Sequence, residues 1–133
     1  MSAARRKRPL AHEAEVPPET LGNPLMGALR NTILAVVRRD GPDLSARHLG
    51  LFLTLYLTAG PHTVAGLAAE VGITKSSITR ALDKLEELDL ARRKLWPRDR
   101  RVVMVQRTPK GVAMLRRVEA TMAGSMAGAP PSA

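Results

Sequence analysis

Between Thr63 and Gly111 the chain reads TVAGLAAEVGITKSSITRALDKLEELDLARRKLWPRDRRVVMVQRTPKG, and this stretch narrows the possible folds more than any other. Val64, Leu67, Ala68 and Val71 make one helical apolar stripe, and Gly72 follows at the usual left-handed stop position. Thr74 caps a second helix running through about Leu88, which turns Ile78, Leu82, Leu85 and Leu88 to one side. Residues 91–96 and 102–107 then read as two short strands joined by an Arg-rich turn containing Pro97. Ala68 lets the two helices approach closely, Gly72 tolerates the positive φ of the turn, and Ile78 plugs the second helix onto the first.

Two short helices, a sharp turn and a hairpin predict a mainly α domain with a small β-hairpin wing. That is a winged helix-turn-helix of about five helices. Before it, Asn23 and Pro24 give a cap and first-turn proline for a helix with Leu25, Leu29, Ile33, Val36 and Val37 at helical spacing, stopped by Asp40, Gly41 and Pro42. Asp43 and Ser45 can cap the next helix, with Leu49, Phe52, Leu53, Tyr56 and Leu57 on the template. Leu51, Leu53, Leu55 and Leu57 also alternate as in a strand, but the length of the run favours a buried helix, ended by Gly60 and Pro61. Thr108 and Pro109 open a last helix with Val112, Leu115, Val118 and Met122 on one stripe. The chain divides into a flexible basic arm (1–18), a domain (19–126) and a frayed tail (127–133). Within the domain lie a reading head (63–107) and terminal helices (23–39 and 109–123).

Charge points to the partner. The chain has 21 Lys and Arg against 12 Asp and Glu, a net +9 on 133 residues. Residues 74–117 hold 13 basic and 5 acidic side chains, so almost all of the excess sits in the proposed reading half. Such a field favours polyanions. Phe52, Tyr56 and Trp96 are the only aromatic residues, too few to stack a run of single-stranded bases, so duplex DNA is the expected polyanion.

The second helix presents Lys75, Ser76, Ser77, Thr79 and Arg80 from its first turns, with Lys84 further along, the part that enters the major groove in this motif. Arg80 suits a two-pronged guanine contact, and Ser76 and Thr79 suit bases or phosphates. The hairpin adds Arg92, Arg93, Lys94, Arg98, Arg100 and Arg101 against Asp99 alone. Arginines on a narrow turn fit the minor groove and its flanking phosphates, while Asp99 is expected to pair with a neighbouring Arg and fix the tip.

With Asp99-Arg100-Arg101 in a Pro-Arg-Asp-Arg-Arg turn and Thr108-Pro109-Lys110-Gly111 after it, the chain resembles the MarR family of bacterial transcription regulators. The resemblance covers roughly residues 25–122 and is most specific from Ala68 to Gly111. It implies a homodimer built from the terminal helices and binding to a pseudo-palindromic operator. It also puts Ser76, Ser77, Thr79 and Arg80 on the recognition helix and aims Arg101 at the minor groove. Relatives usually carry a longer C-terminal helical region, whereas residues 109–133 here have room for one helix. The residues name no small-molecule effector.

Other functions do not find their residues. With no Cys there is no thiolate metal site, and His12, His48 and His62 lie in separate segments without ligand spacing. His48 reads as a capping or partly buried residue and His62 as a turn residue. Glu86 and Glu87 are adjacent and diverge around their helix. Met104, Met114 and Met122 read as core filler. No catalytic, cofactor or metal residues are assigned. Without a signal sequence or an 18-residue apolar run, the expected location is the cytoplasm and no membrane partner is expected. The alternatives are a winged-helix adaptor that binds acidic protein surfaces and a nonspecific architectural DNA-binding protein.

Overall fold

Five of the six helix starts among the described residues are set by single side chains. In the computed structural model, which describes residues 13–38 and 44–128, Ser45 caps α3 (Ala46–Leu57) by accepting from the His48 amide at 3.2 Å. His48 Nδ1 in turn accepts from the Ser45 amide at 3.1 Å, closing a reciprocal capping box. His48 is therefore a capping residue, as expected. The other caps are Thr63 for α4 (Val64–Val71), Thr74 for α5 (Lys75–Glu87), and Thr108 for α6 (Pro109–Met126). Asn23 does the same for α2 (Pro24–Val37). Each supplies a side-chain oxygen to an amide that the first helical turn leaves unpaired.

Helix α3 is the centre of the core. Leu51, Phe52, Leu55 and Tyr56 are buried at helical spacing, which settles the helix-or-strand ambiguity of this segment. Leu67 and Ala68 of α4 pack on it, as do Ile78, Ala81, Leu82 and Leu85 of α5. Leu88 is only half-buried at the end of α5. Between α4 and α5, Gly72 has φ +78° and ψ +33°, and its amide and that of Ile73 both donate to Ala68 O, at 2.9 and 3.1 Å.

A three-stranded antiparallel sheet closes the domain, in the order β1 (His62–Thr63), β3 (Asp99–Gln106), β2 (Arg92–Trp96). Val105 is buried and pairs with both His62 and Arg93. The sheet corrects the expected two-stranded hairpin in two respects. His62 is a strand residue, not a turn residue, because a two-residue strand is too short to show an alternation. The last strand begins at Asp99 rather than 102, since pairing continues to the Pro97-Arg98 turn. There are six helices among the described residues. The extra one, α1 (Pro18–Leu21), is a single turn started by proline.

The terminal helices pack on each other, joined by a 2.6 Å hydrogen bond from Asn31 Nδ2 to Ser125 Oγ. The face of α2 that does so holds Ala28 and Thr32, not the expected leucines. Leu25, Leu29, Ile33 and Val37 are 67, 47, 45 and 54% exposed. On α6, Gly111 and Met114 are buried while Val112 and Met122 of the expected stripe stay exposed. Periodicity locates an apolar face but not what covers it. Asp40, Gly41, Pro42, Asp43 and the Arg5-to-Arg8 run lie outside the described residues.

Candidate nucleic-acid interface

Burying Ile78, Ala81, Leu82 and Leu85 forces the other side of α5 outward. Lys75, Ser76 and Arg80 are exposed there, with Ser77, Thr79 and Lys84 half-covered. Two of the hydroxyls are held locally: Thr79 Oγ1 donates to Lys75 O at 2.8 Å, and Ser76 Oγ lies 3.3 Å from Thr74 Oγ1. The Ser77 amide donates to the Thr74 cap, and Lys84 Nζ lies 3.8 Å from Glu87.

The wing tip is organised by one carboxylate. Asp99 Oδ1 accepts from the Arg101 amide and from Arg101 Nε, both at 3.0 Å, and Oδ2 accepts from Nη2 at 3.2 Å. The Arg101 side chain is still 90% exposed. Its guanidinium and amide hold the Asp99 carboxyl below the usual carboxylate range, so this arrangement is kept at all ordinary pH and is lost only as acid titrates Asp99 below it. The expected pairing of Asp99 with a neighbouring Arg is present.

Helix and wing then meet across a shared groove of about 420 Å³, lined by Lys75 and Thr79 from α5, by Arg93 and Arg101 from the wing, and by Thr63 and Val64 at the start of α4. The structure thus brings four of the candidate residues together. The remaining cations spread outward. Arg98 and Arg100 are exposed at the tip, and Arg92 leaves β2 beside Asp89 at 3.4 Å. Lys94 faces a different groove with Trp96 and Met104. Arg93 is tied to Asp83 and Glu86 of α5.

Several supporting residues escaped sequence reading. Tyr56 Oη donates to Leu90 O at 2.7 Å and accepts from the Thr108 amide at 3.0 Å, joining the core helix to both ends of the wing. Thr108 Oγ1 donates to Asp89 O at 2.6 Å and accepts from the Gly111 amide at 3.0 Å. Arg107 Nε and Nη2 donate to Leu55 O and Thr58 O at 2.8 and 2.7 Å, placing a cation at the C-terminus of α3. The Thr-Pro-x-Gly run was the available signal for Thr108 and Gly111, but it announced only a helix start.

Residues 43–102, from the α3 region to the wing, match the family model described as MarR family. That stretch is a MarR-family region. Among solved structures, RV1404 from Mycobacterium tuberculosis is similar at 21% identity over 86% of this chain and 80% of that one, with a TM-score of 0.68. A mutant MarR from E. coli complexed with operator DNA is similar at 18% identity, covering 82 and 75% of the two chains, with a TM-score of 0.62. The repressor CouR, from Rhodococcus jostii RHA1, bound to a 23-mer DNA duplex, is similar at 23% identity, covering 83 and 72%, with a TM-score of 0.61. At these identities the likeness is one of fold. Curated proteins give no sequence match. No helix among the described residues is long and apolar enough to cross a membrane, and none of their His, Asp and Glu residues cluster to hold a metal.

Proposed function

We propose that this chain is a MarR-family, sequence-specific, double-stranded DNA-binding transcriptional regulator that acts without chemistry on a substrate. The observation that carries the reading is the shared groove: Lys75 and Thr79 of the recognition helix and Arg101 of the wing line one concave surface. A helix entering the major groove and a wing reaching the adjacent minor groove need that arrangement. Lys75, Ser76, Ser77, Thr79, Arg80 and Lys84 form the major-groove face. Arg92, Lys94, Arg98, Arg100 and Arg101 serve phosphates and minor groove, with Asp99 orienting Arg101.

The apolar stripe of α2 supports a homodimer: among the described residues Leu25, Leu29, Ile33 and Val37 stay 45–67% exposed, with Met122 and Met126 exposed on the neighbouring helix. A two-fold dimer reads an inverted repeat, so the expected target is a pseudo-palindromic operator. Genome-wide occupancy of the full chain tests this. Discrete peaks sharing an inverted repeat are the expected result, whereas uniform occupancy or none would overturn it.

A further inference from the structure

Strand β2 alternates its side chains, and Arg93, in register with the buried Val105, lies on the sheet face turned to the helices. Its side chain is 26% exposed, against 59% for Arg92 and 90% for Arg101. Three of its donors are engaged by α5. Nη2 donates to Asp83, Nε donates to Glu86 Oε1 at 3.0 Å, and the backbone amide donates to the same oxygen at 3.2 Å. Asp83 and Glu86 are one helical turn apart, and Asp83 follows Thr79 by four residues, so the acids continue the face that carries the reading residues.

We propose that Arg93 is a positioning residue for DNA reading, a clamp that fixes the spacing between recognition helix and wing, and not itself a phosphate contact. The proposal rests on the reading of α5 and the hairpin as the DNA-binding surface. Two physical consequences follow from the geometry. The strand is held through both its backbone and its side chain, so β2 cannot slide along α5 without breaking both. Arg93 also neutralises two carboxylates that would otherwise face a polyanion from the recognition helix itself. A planar fork suits this task, because Nε and Nη2 reach the two acids from separate fixed positions, whereas an ammonium offers a single point.

The test uses the full chain and an operator duplex from the occupancy experiment, with affinity measured across salt. Arg93→Ala is expected to weaken binding about tenfold or more while leaving the slope of log K against log salt unchanged, whereas Lys75→Ala flattens that slope by about one. Arg93→Lys restores only part of the loss. The discriminating variant is Asp83→Asn with Glu86→Gln. Removing two negative charges from a DNA-facing surface should by charge alone raise affinity, yet under the clamp it weakens binding as Arg93→Ala does. Tighter binding by this double variant, or a flattened salt slope in Arg93→Ala, would overturn the proposal.

A second measurement needs no DNA. The chain has no cysteine, so nitroxides at Glu87→Cys on α5 and Arg98→Cys on the wing report one distance when labelled chain is diluted into excess unlabelled chain. Arg93→Ala should broaden that distance distribution, and an unchanged distribution sinks the clamp. If the distribution broadens but the wild-type chain binds no duplex, the clamp stands and the DNA-reading function falls.

Discussion

The hydroxyl of Tyr56 occupies the space that a β-carbon at Gly111 would need: an added Cβ would lie 1.6 Å from Oη, 2.4 Å from Cζ and 3.0 Å from Leu90 O. The glycine of Thr-Pro-x-Gly is thus set by close approach, at the point where the core helix meets both ends of the wing. Gly111→Ala must displace the ring and strand the Leu90 carbonyl and Thr108 amide. The combined overpacking and lost hydrogen bonding predict a destabilisation of about 2–5 kcal/mol, read by urea unfolding. Tyr56→Phe removes only the hydroxyl and should cost about 1–3 kcal/mol.

Gly72 answers to a different constraint. Nothing lies within 4 Å of a Cβ placed there, so only the +78° φ resists a side chain. Gly72→Ala should cost about 1–2 kcal/mol and Gly72→Asn less, because Asn tolerates the left-handed region. Equal loss in the two variants would point to a packing cause instead.

The capping box on α3 makes part of the stability depend on pH. Burial, and then the charges of Lys84 and Arg47, hold the His48 pKa below the ordinary 6.5. The unfolded chain therefore takes up this proton first as pH falls, and stability is lost from 6.5 downward until the folded-state pKa is passed. His48→Gln keeps an acceptor for the Ser45 amide but does not titrate. The stability difference between wild type and His48→Gln should stay constant above about pH 7.5 and change only below it, as chemical unfolding at several pH values would reveal.

Arg80 and Arg100 should separate reading from holding. Arg80→Ala is expected to flatten sequence preference by about 1–3 kcal/mol at the bases it faces. Arg100→Ala should instead weaken binding to all duplexes alike and lower the salt slope by about one. Operator variants titrated across salt distinguish the two, and an unaltered preference in Arg80→Ala would remove that residue from the reading set.

Dimerisation can be probed on α2. Leu29→Glu with Ile33→Glu places charge on the exposed stripe while Ala28 and Thr32 keep their packing. The expected outcome is a folded monomer by sedimentation, with affinity for an inverted repeat falling toward that for a half-site. A variant that remains dimeric would place the interface elsewhere.

What the sequence made legible was whatever depends on local rules. Thr63, Thr74 and Thr108 cap, Gly72 turns and Ile78 plugs, because capping and left-handed geometry are decided within a few residues. Asp99 found Arg101 for the same reason. Relationships between distant segments were not legible. Arg93 lies ten residues from Asp83, and nothing in the order of residues distinguishes it from Arg92, which points away. Glu86 and Glu87 do diverge, but the partner of Glu86 comes from the wing. The leucines of α2 announced a helix correctly, yet a small face of Ala28 and Thr32 makes the intrachain contact.

The fork between Asp99 and Arg101 bears on how fast a target is recognised. A free arginine side chain samples many rotamers, and each must be frozen when it enters a groove. Here one short carboxylate has already narrowed the choice while leaving the guanidinium almost fully in solvent. If the wing is the DNA contact proposed above, it arrives with its probe already oriented, and search along the duplex consists of trying positions rather than trying shapes.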